Sequence, residues 1–212
     1  MTPMTANPPR RSPTPGERQR DPERTKARIL EAATAEFGAK GFAAARVGDI
    51  ADRAGVNKQL ISYYFGGKEG LYNEINKRWQ QTSAEMSQSE RPLDAVVADF
   101  TMATLHNRDW ARLMVWTNLD SGPEAPDEQA DYSFMQGQVA DLRRRQEAGE
   151  IPDDLDPAYL MLALFAAAAA GVTLPRVARM ICDEDPESAA FTERYADQLA
   201  RLVRHLTKPT DP

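Results

Sequence analysis

Residues 46–68 decide the fold: Arg46-Val47-Gly48-Asp49-Ile50-Ala51-Asp52-Arg53-Ala54-Gly55-Val56-Asn57-Lys58-Gln59-Leu60-Ile61-Ser62-Tyr63-Tyr64-Phe65-Gly66-Gly67-Lys68. They read as two short helices joined by a tight turn. Ile50 and Ala51 fall on the buried side of the first helix. Gly55 follows, where a left-handed residue ends a helix without a Cβ penalty. Asn57 is a good N-cap for the second helix. Leu60, Ile61, Tyr64 and Phe65 give that helix an apolar stripe, which leaves Lys58, Gln59, Ser62 and Tyr63 on the exposed arc. Such an arc suits phosphates and base edges, and a helix-turn-helix presents it to the DNA major groove.

Upstream, Asp21 as N-cap and Pro22 at the first helical position predict the start of one more helix. Its buried face is Ile29, Leu30, Ala33 and Phe37, and Gly41 ends it. Residues 1–20 carry Pro3, Pro8, Pro9, Pro13 and Pro15 with little apolar content, which predicts a disordered arm. Its Arg10, Arg11, Arg18 and Arg20 can enter a minor groove or remain a solvated tail. The reading is therefore a basic arm at 1–20, a helix-turn-helix domain at 21–66 and a helical body at 67–208.

Net charge is −6, which by itself argues against a nucleic-acid partner. The distribution reverses that argument. Residues 1–80 hold 14 basic and 9 acidic side chains, net +5, and the remainder holds 12 and 23, net −11. Positive potential is concentrated with the helix-turn-helix, and the acidic remainder repels DNA. Hydrophobic residues make up 42% of the chain, enough for a core. No charge-free apolar run reaches the ~18 residues of a membrane span, and the first residues lack a signal-peptide core. Cys182 is the single cysteine and is expected to pack as a small hydrophobe. A cytoplasmic protein fits these features.

The body reads as helices throughout. Leu71, Ile75 and Trp79 mark one running from near Gly67 toward Glu90, which Pro92 stops. Further helices are expected at about 93–105, 109–119, 126–148 and 159–172, the last capped by Asp156-Pro157. Pro175 kinks or ends it. A final helix follows Pro186, with the stripe Phe191, Tyr195, Leu199, Leu202, Val203 and Leu206. The run Ala166–Ala170 with Gly171 offers a flat surface to another helix. Arg143-Arg144-Arg145 reads as a solvated or salt-bridged face. Trp110, Leu113, Met114 and Thr117 share one helix face, Phe134, Met135, Gln138 and Leu142 a second, and Met161, Leu164 and Phe165 a third; as patterns these are core. No catalytic constellation, cofactor loop or metal-ligand spacing stands out: His106 and His205 lie far apart, and Gly66-Gly67-Lys68 lacks the preceding glycine and strand of a phosphate loop.

The pattern Ile29-Leu30, Ala33, Phe37, Gly41-Phe42, Asp49-Ile50-Ala51, Ala54-Gly55-Val56, Tyr63-Tyr64-Phe65 and Lys68 resembles the tetracycline-repressor (TetR) family in spacing and residue type. The resemblance implies an all-α transcriptional regulator, usually a dimeric repressor, that binds an inverted-repeat operator in double-stranded DNA. By position it implies DNA contact at Asn57, Lys58, Gln59, Tyr63, Tyr64 and Lys68; Ser62 shares their exposed arc. Two departures stand out. Arg46 occupies a place where Ser or Thr often caps the helix, so it can reach a phosphate but cannot cap. Gly48 cannot read a base.

The resemblance also implies that the body core opens into a cavity for a small-molecule effector. Trp110, Met114, Phe134, Met161 and Phe165 would form an apolar lining, with His106 and Gln138 as polar anchors, for an apolar or aromatic ligand. Ala166–Gly171 and the Phe191–Leu206 stripe would form a four-helix homodimer interface. A ligand-independent regulator or activator shares these features, and a helical enzyme or carrier with a vestigial motif is the remaining alternative.

Overall fold

The computed structural model describes residues 15–87, 91–119 and 129–207. Every regular element among them is a helix: α1 (Pro15–Ala44), α2 (Val47–Ala54), α3 (Lys58–Phe65), α4 (Lys68–Met86), α5 (Leu93–His106), α6 (Arg108–Leu119), α7 (Gln129–Glu147), α8 (Pro157–Thr173), α9 (Pro175–Cys182) and α10 (Ala189–Leu206). The local signals work as expected at most ends. Gly55 is left-handed at φ 61° and closes α2. Asn57 caps α3 by accepting from the Gln59 N–H at 2.9 Å. Asp156 caps α8 by accepting from the Ala158 N–H at 2.8 Å.

Helices α1–α3 form a head on one core of Ile29, Leu30, Ala33, Phe37, Ile50, Ala51, Ala54 and Ile61. This core continues through Leu71, Tyr72 and Ile75 of α4 into Leu105, Trp110, Ala111 and Leu113 of the body. Head and body are thus locked by α1 against α6, where Gly38 allows the backbones to meet. A Cβ at Gly38 would stand 2.4 Å from the Asp109 carbonyl oxygen. A second core, built from Leu93, Val97, Leu142, Ile151, Ala168, Leu199 and Val203, holds α5, α7, α8 and α10 together. Helices α8 and α10 run antiparallel: Gly171 faces Phe191, Tyr195 Oη donates to the Ala167 carbonyl at 2.7 Å, and Leu160 approaches Val203.

Several expectations need correction. The first helix does not begin at Asp21. It runs from Pro15, with Pro22 inside it; Pro15 takes the first helical position, where a missing N–H is no loss, and Pro22 gives up the bond to the carbonyl four residues earlier and crowds that carbonyl with its ring. Of the proposed disordered arm, 15–20 is therefore helical, while 1–14, with Arg10 and Arg11, lies outside the described residues. Gly41 does break the helix, at φ 77° and ψ 164°. Pro175 starts a separate helix, α9, that meets α8 at 88°. No single described helix is long and apolar enough to cross a membrane. Cys182 is exposed, because α9 docks through Ala178 and leaves Val177, Met180 and Ile181 outward.

Ala168 is also misplaced by the sequence reading. It is 8% exposed and belongs to the subunit's own core. Gly171 accommodates Leu105 and Phe191 of the same chain. Phe191, Leu199 and Val203 are likewise buried inside the subunit. The faces left outward on α8 and α10 are instead Tyr159, Leu162, Ala163, Ala166, Leu202 and Leu206. Of the solvated or salt-bridged face read for Arg143–Arg145, Arg145 takes the salt-bridged form: it is 4% exposed and paired with Asp141 and Glu150.

Candidate nucleic-acid interface and body cavity

On α3, Lys58, Gln59, Ser62 and Tyr63 are exposed, and Tyr63 stands 80% free. Ile61 is fully buried and Leu60, Tyr64 and Phe65 pack partly on the core. The Tyr64 ring sits 5.0 Å from Tyr63, and Lys26 Nζ lies 5.6 Å over it. Asn57 spends its side-chain oxygen on the cap. Arg46 is exposed at the N-cap of α2 and makes no side-chain cap. Lys40 bridges α1 to Asp49 of α2 at 2.9 Å, and this hydrogen bond holds the Asp49 carboxyl below its ordinary range. Lys68 has a task inside the protein: its Nζ donates to the Ala43 carbonyl at 2.9 Å and covers the Phe42 ring at 4.6 Å. It pins the start of α4 to the end of α1.

The body holds a cavity of about 430 Å³ between α4, α5, α6, α7 and α8. Each of these five helices supplies one aromatic ring, namely Trp79, Phe100, Trp110, Phe134 and Phe165. Trp79 and Trp110 stack with centroids 3.7 Å apart. Met114 and Met161 add adaptable sulfur-containing wall. One polar corner comes from Ser87, Gln138 and Asp141. There Ser87 Oγ donates to Gln138 Oε1 at 2.9 Å, linking the end of α4 to α7. Behind the corner, Asp141 accepts from Arg144 at 2.7 Å and Arg145 at 2.9 Å. Burial opposes the Arg145 charge, yet hydrogen bonds to Asp141 and Glu150 hold its pKa above the ordinary value.

Two family models match the chain: residues 29–75 match the bacterial regulatory proteins of the tetR family, and residues 79–204 match the tetracyclin repressor-like C-terminal domain. The chain belongs to the TetR family. Among curated TetR-family relatives, the HTH-type transcriptional repressor SCO4008 of Streptomyces coelicolor is 33% identical over 189 residues, covering 88% of this chain and 97% of its own. The HTH-type transcriptional repressor NicS of Pseudomonas putida is 29% identical over 162 residues, 70% of this chain and 76% of its own. Among solved structures, the transcriptional regulator SCO4942 from Streptomyces coelicolor superposes with a TM-score of 0.68 at 25% identity, over 85% of this chain and 97% of its own. As a TetR-family protein, the chain is a DNA-binding transcription regulator and not an enzyme.

Within this TetR-family frame the cavity is lined by Trp110, Met114, Phe134, Gln138, Met161 and Phe165, six of the residues that the family resemblance implied for it. It does not gather His106. That side chain is exposed at a separate polar cleft between head and body, among Arg28, Arg53, Arg108 and Arg112. His106 ends α5, so its position one residue beyond the last buried turn turns it outward. Trp79, Phe100, Ser87 and Asp141 were missed. Trp79 follows Leu71 and Ile75 at intervals of four, a stripe that signals an inward face without revealing a hollow.

Proposed function

We propose that this regulator is a homodimer that places one α3 helix in the major groove of each half of an inverted-repeat operator, and that a small, mostly apolar molecule in the body cavity releases it. The carrying observation is that α4 serves both ends. Its first residue, Lys68, is anchored to the head through Ala43. Its middle supplies Trp79 to the cavity wall, and Ser87, just past its end, bonds Gln138. An occupant that spreads the Trp79–Trp110 stack or draws Gln138 away from Ser87 shifts α4, and the head with it. In a dimer, half-sites about 34–36 Å apart demand matched head spacing, so such a shift weakens binding provided the occupant prefers the shifted state.

The DNA half of the proposal is tested on α3. An operator is first recovered by selecting bound sequences from a random DNA pool. Lys58→Ala lowers affinity evenly across sequences and reduces the salt slope by about one unit, as loss of one phosphate contact requires. Tyr63→Ala, which removes the most exposed ring of the motif, weakens the selected operator about tenfold, or ~1.4 kcal/mol. Parental binding by both variants would place another helix in the groove.

The cavity half is tested by filling it. Phe134→Trp adds ring volume to the wall and weakens an apolar ligand found by Trp quenching, while operator affinity without ligand stays at the parental level. By linkage, operator DNA weakens that ligand by the same factor as the ligand weakens DNA, typically ~5–150-fold. A ligand whose affinity ignores both the substitution and the operator binds elsewhere.

A further inference from the structure

Charge distribution in the cavity narrows its occupant. Among the described lining residues there is no Lys, Arg or His, and the only ionisable side chain is Asp141. Its two guanidinium partners stand behind it. Arg144 Nη2 takes Oδ1 and Arg145 Nε takes Oδ2. Arg145 is also committed to Glu150 at 2.8 Å and to the Arg91 carbonyl at 2.8 Å. Neither arginine lines the cavity, so neither is free to meet an anion there. The rest of the polar corner is neutral, with Ser87 donating to Gln138.

An acid entering this space would lose its water, find no cation among the described lining residues and meet the Asp141 carboxylate in front of the two guanidinium groups that pair with it. A hydrogen-bond donor meets the opposite field. Asp141 keeps lone pairs free to accept, and aromatic rings from five helices line the space, where any ring face presented to the occupant attracts positive charge. Resting on the reading of this cavity as the effector site, we propose that the occupant is an aromatic molecule whose polar group is an amine or its ammonium, and that Asp141 selects it over the corresponding acid. The rings fix the aromatic part by stacking, and the single carboxylate fixes the sign of the head group.

The test uses the full-length protein with N-phenyl-1-naphthylamine, an uncharged fluorescent aromatic amine, as the cavity probe. Phe134→Trp must weaken the probe; a probe that does not bind, or ignores this substitution, overturns the effector-cavity reading itself. With the probe in place, 1-naphthylmethylamine and 1-naphthoate compete for it. They share a ring system and differ in the sign of the head group. The amine is expected to displace the probe at least about tenfold more effectively, and the preference persists in about 0.5 M salt because a buried carboxylate is poorly screened. Equal competition, a preference for the acid, or failure of both to compete while the probe stays bound overturns the charge selection and leaves the effector reading standing. A preference that disappears in high salt assigns it to the acidic body surface instead and overturns the role of Asp141.

Two variants locate the effect. Asp141→Asn collapses the preference to within about threefold. Because that change also removes one of the two carboxylates paired with Arg145, Gln138→Lys serves as the second arm: it adds a positive charge to the same corner and is expected to raise the affinity of the naphthoate at least about tenfold. If naphthoate is unaffected by Gln138→Lys while helical content is parental, the polar corner does not set the charge preference.

Discussion

Leu162→Arg leaves the protein monomeric at low micromolar concentration and removes tight operator binding. Leu162 is 65% exposed on α8, about one turn from Tyr159 at 75%, and Leu202 on the antiparallel α10 is 56% exposed. Tyr159, Leu162, Ala163 and Ala166 share one face of α8, which none of the described residues covers. In the proposed homodimer this face meets its own copy in a four-helix arrangement. A guanidinium held there without a partner costs about 3–5 kcal/mol, and twofold symmetry introduces it twice. One such cost alone weakens association by on the order of 10³-fold. Light scattering checks the mass, and anisotropy with the selected operator checks DNA binding. Ala168→Arg serves as the contrast: that side chain points into the subunit core, so it unfolds the body instead of separating folded monomers. A dimeric Leu162→Arg protein would move the interface to another face.

Gly38→Val destabilises the whole chain. The Cβ of any larger residue would lie 2.4 Å from the Asp109 carbonyl oxygen and 2.9 Å from its carbon and Cα. These are backbone atoms at the start of α6, so no side-chain rotation relieves the contact. Helix α1 must lift from α6 along the seam that joins head to body. Overpacking of this kind costs about 1–3 kcal/mol, and valine's second γ-branch puts it at the upper end. Urea unfolding reads the change as a lower midpoint at unchanged slope. Gly137→Ala provides the opposite sign. Nothing lies within 4 Å of a Cβ there, and replacing a mid-helix glycine in α7 gains about 1 kcal/mol of helix propensity. If Gly38→Val unfolds at the parental midpoint, the α1–α6 seam does not hold the two parts together.

The helix-turn-helix was legible because its determinants are local. Asn57, Gly55 and the Ile61–Phe65 stripe act over one or two turns, and the cap bond at 2.9 Å with φ 61° at Gly55 follows from them. The exposure of Tyr63 and Lys58 follows from helical periodicity alone. Six of the seven residues expected at the cavity line it: each lies on an inward helix stripe, and the family likeness said that such stripes surround a hollow.

Tertiary structure decided what periodicity leaves degenerate. Helix α8 is apolar on every side, so its sequence does not distinguish Ala168, which is buried at 8%, from Leu162, which is exposed at 65%. Only the positions of α5 and α10 choose between them. His106 and Asp141 show the same limit for polar groups. The family resemblance placed His106 inside as a polar anchor, but the end of α5 turns it to the outer cleft. Asp141 and Arg145 announce a salt bridge by their spacing of four, yet whether that pair faces water or an aromatic hollow depends on α4 and α5 closing over α7. Local sequence set where most helices begin, though not α1 or α9, and which side chains share a face. Packing of distant helices set which face is inside, because burial is a property of the assembled surfaces and not of any one segment.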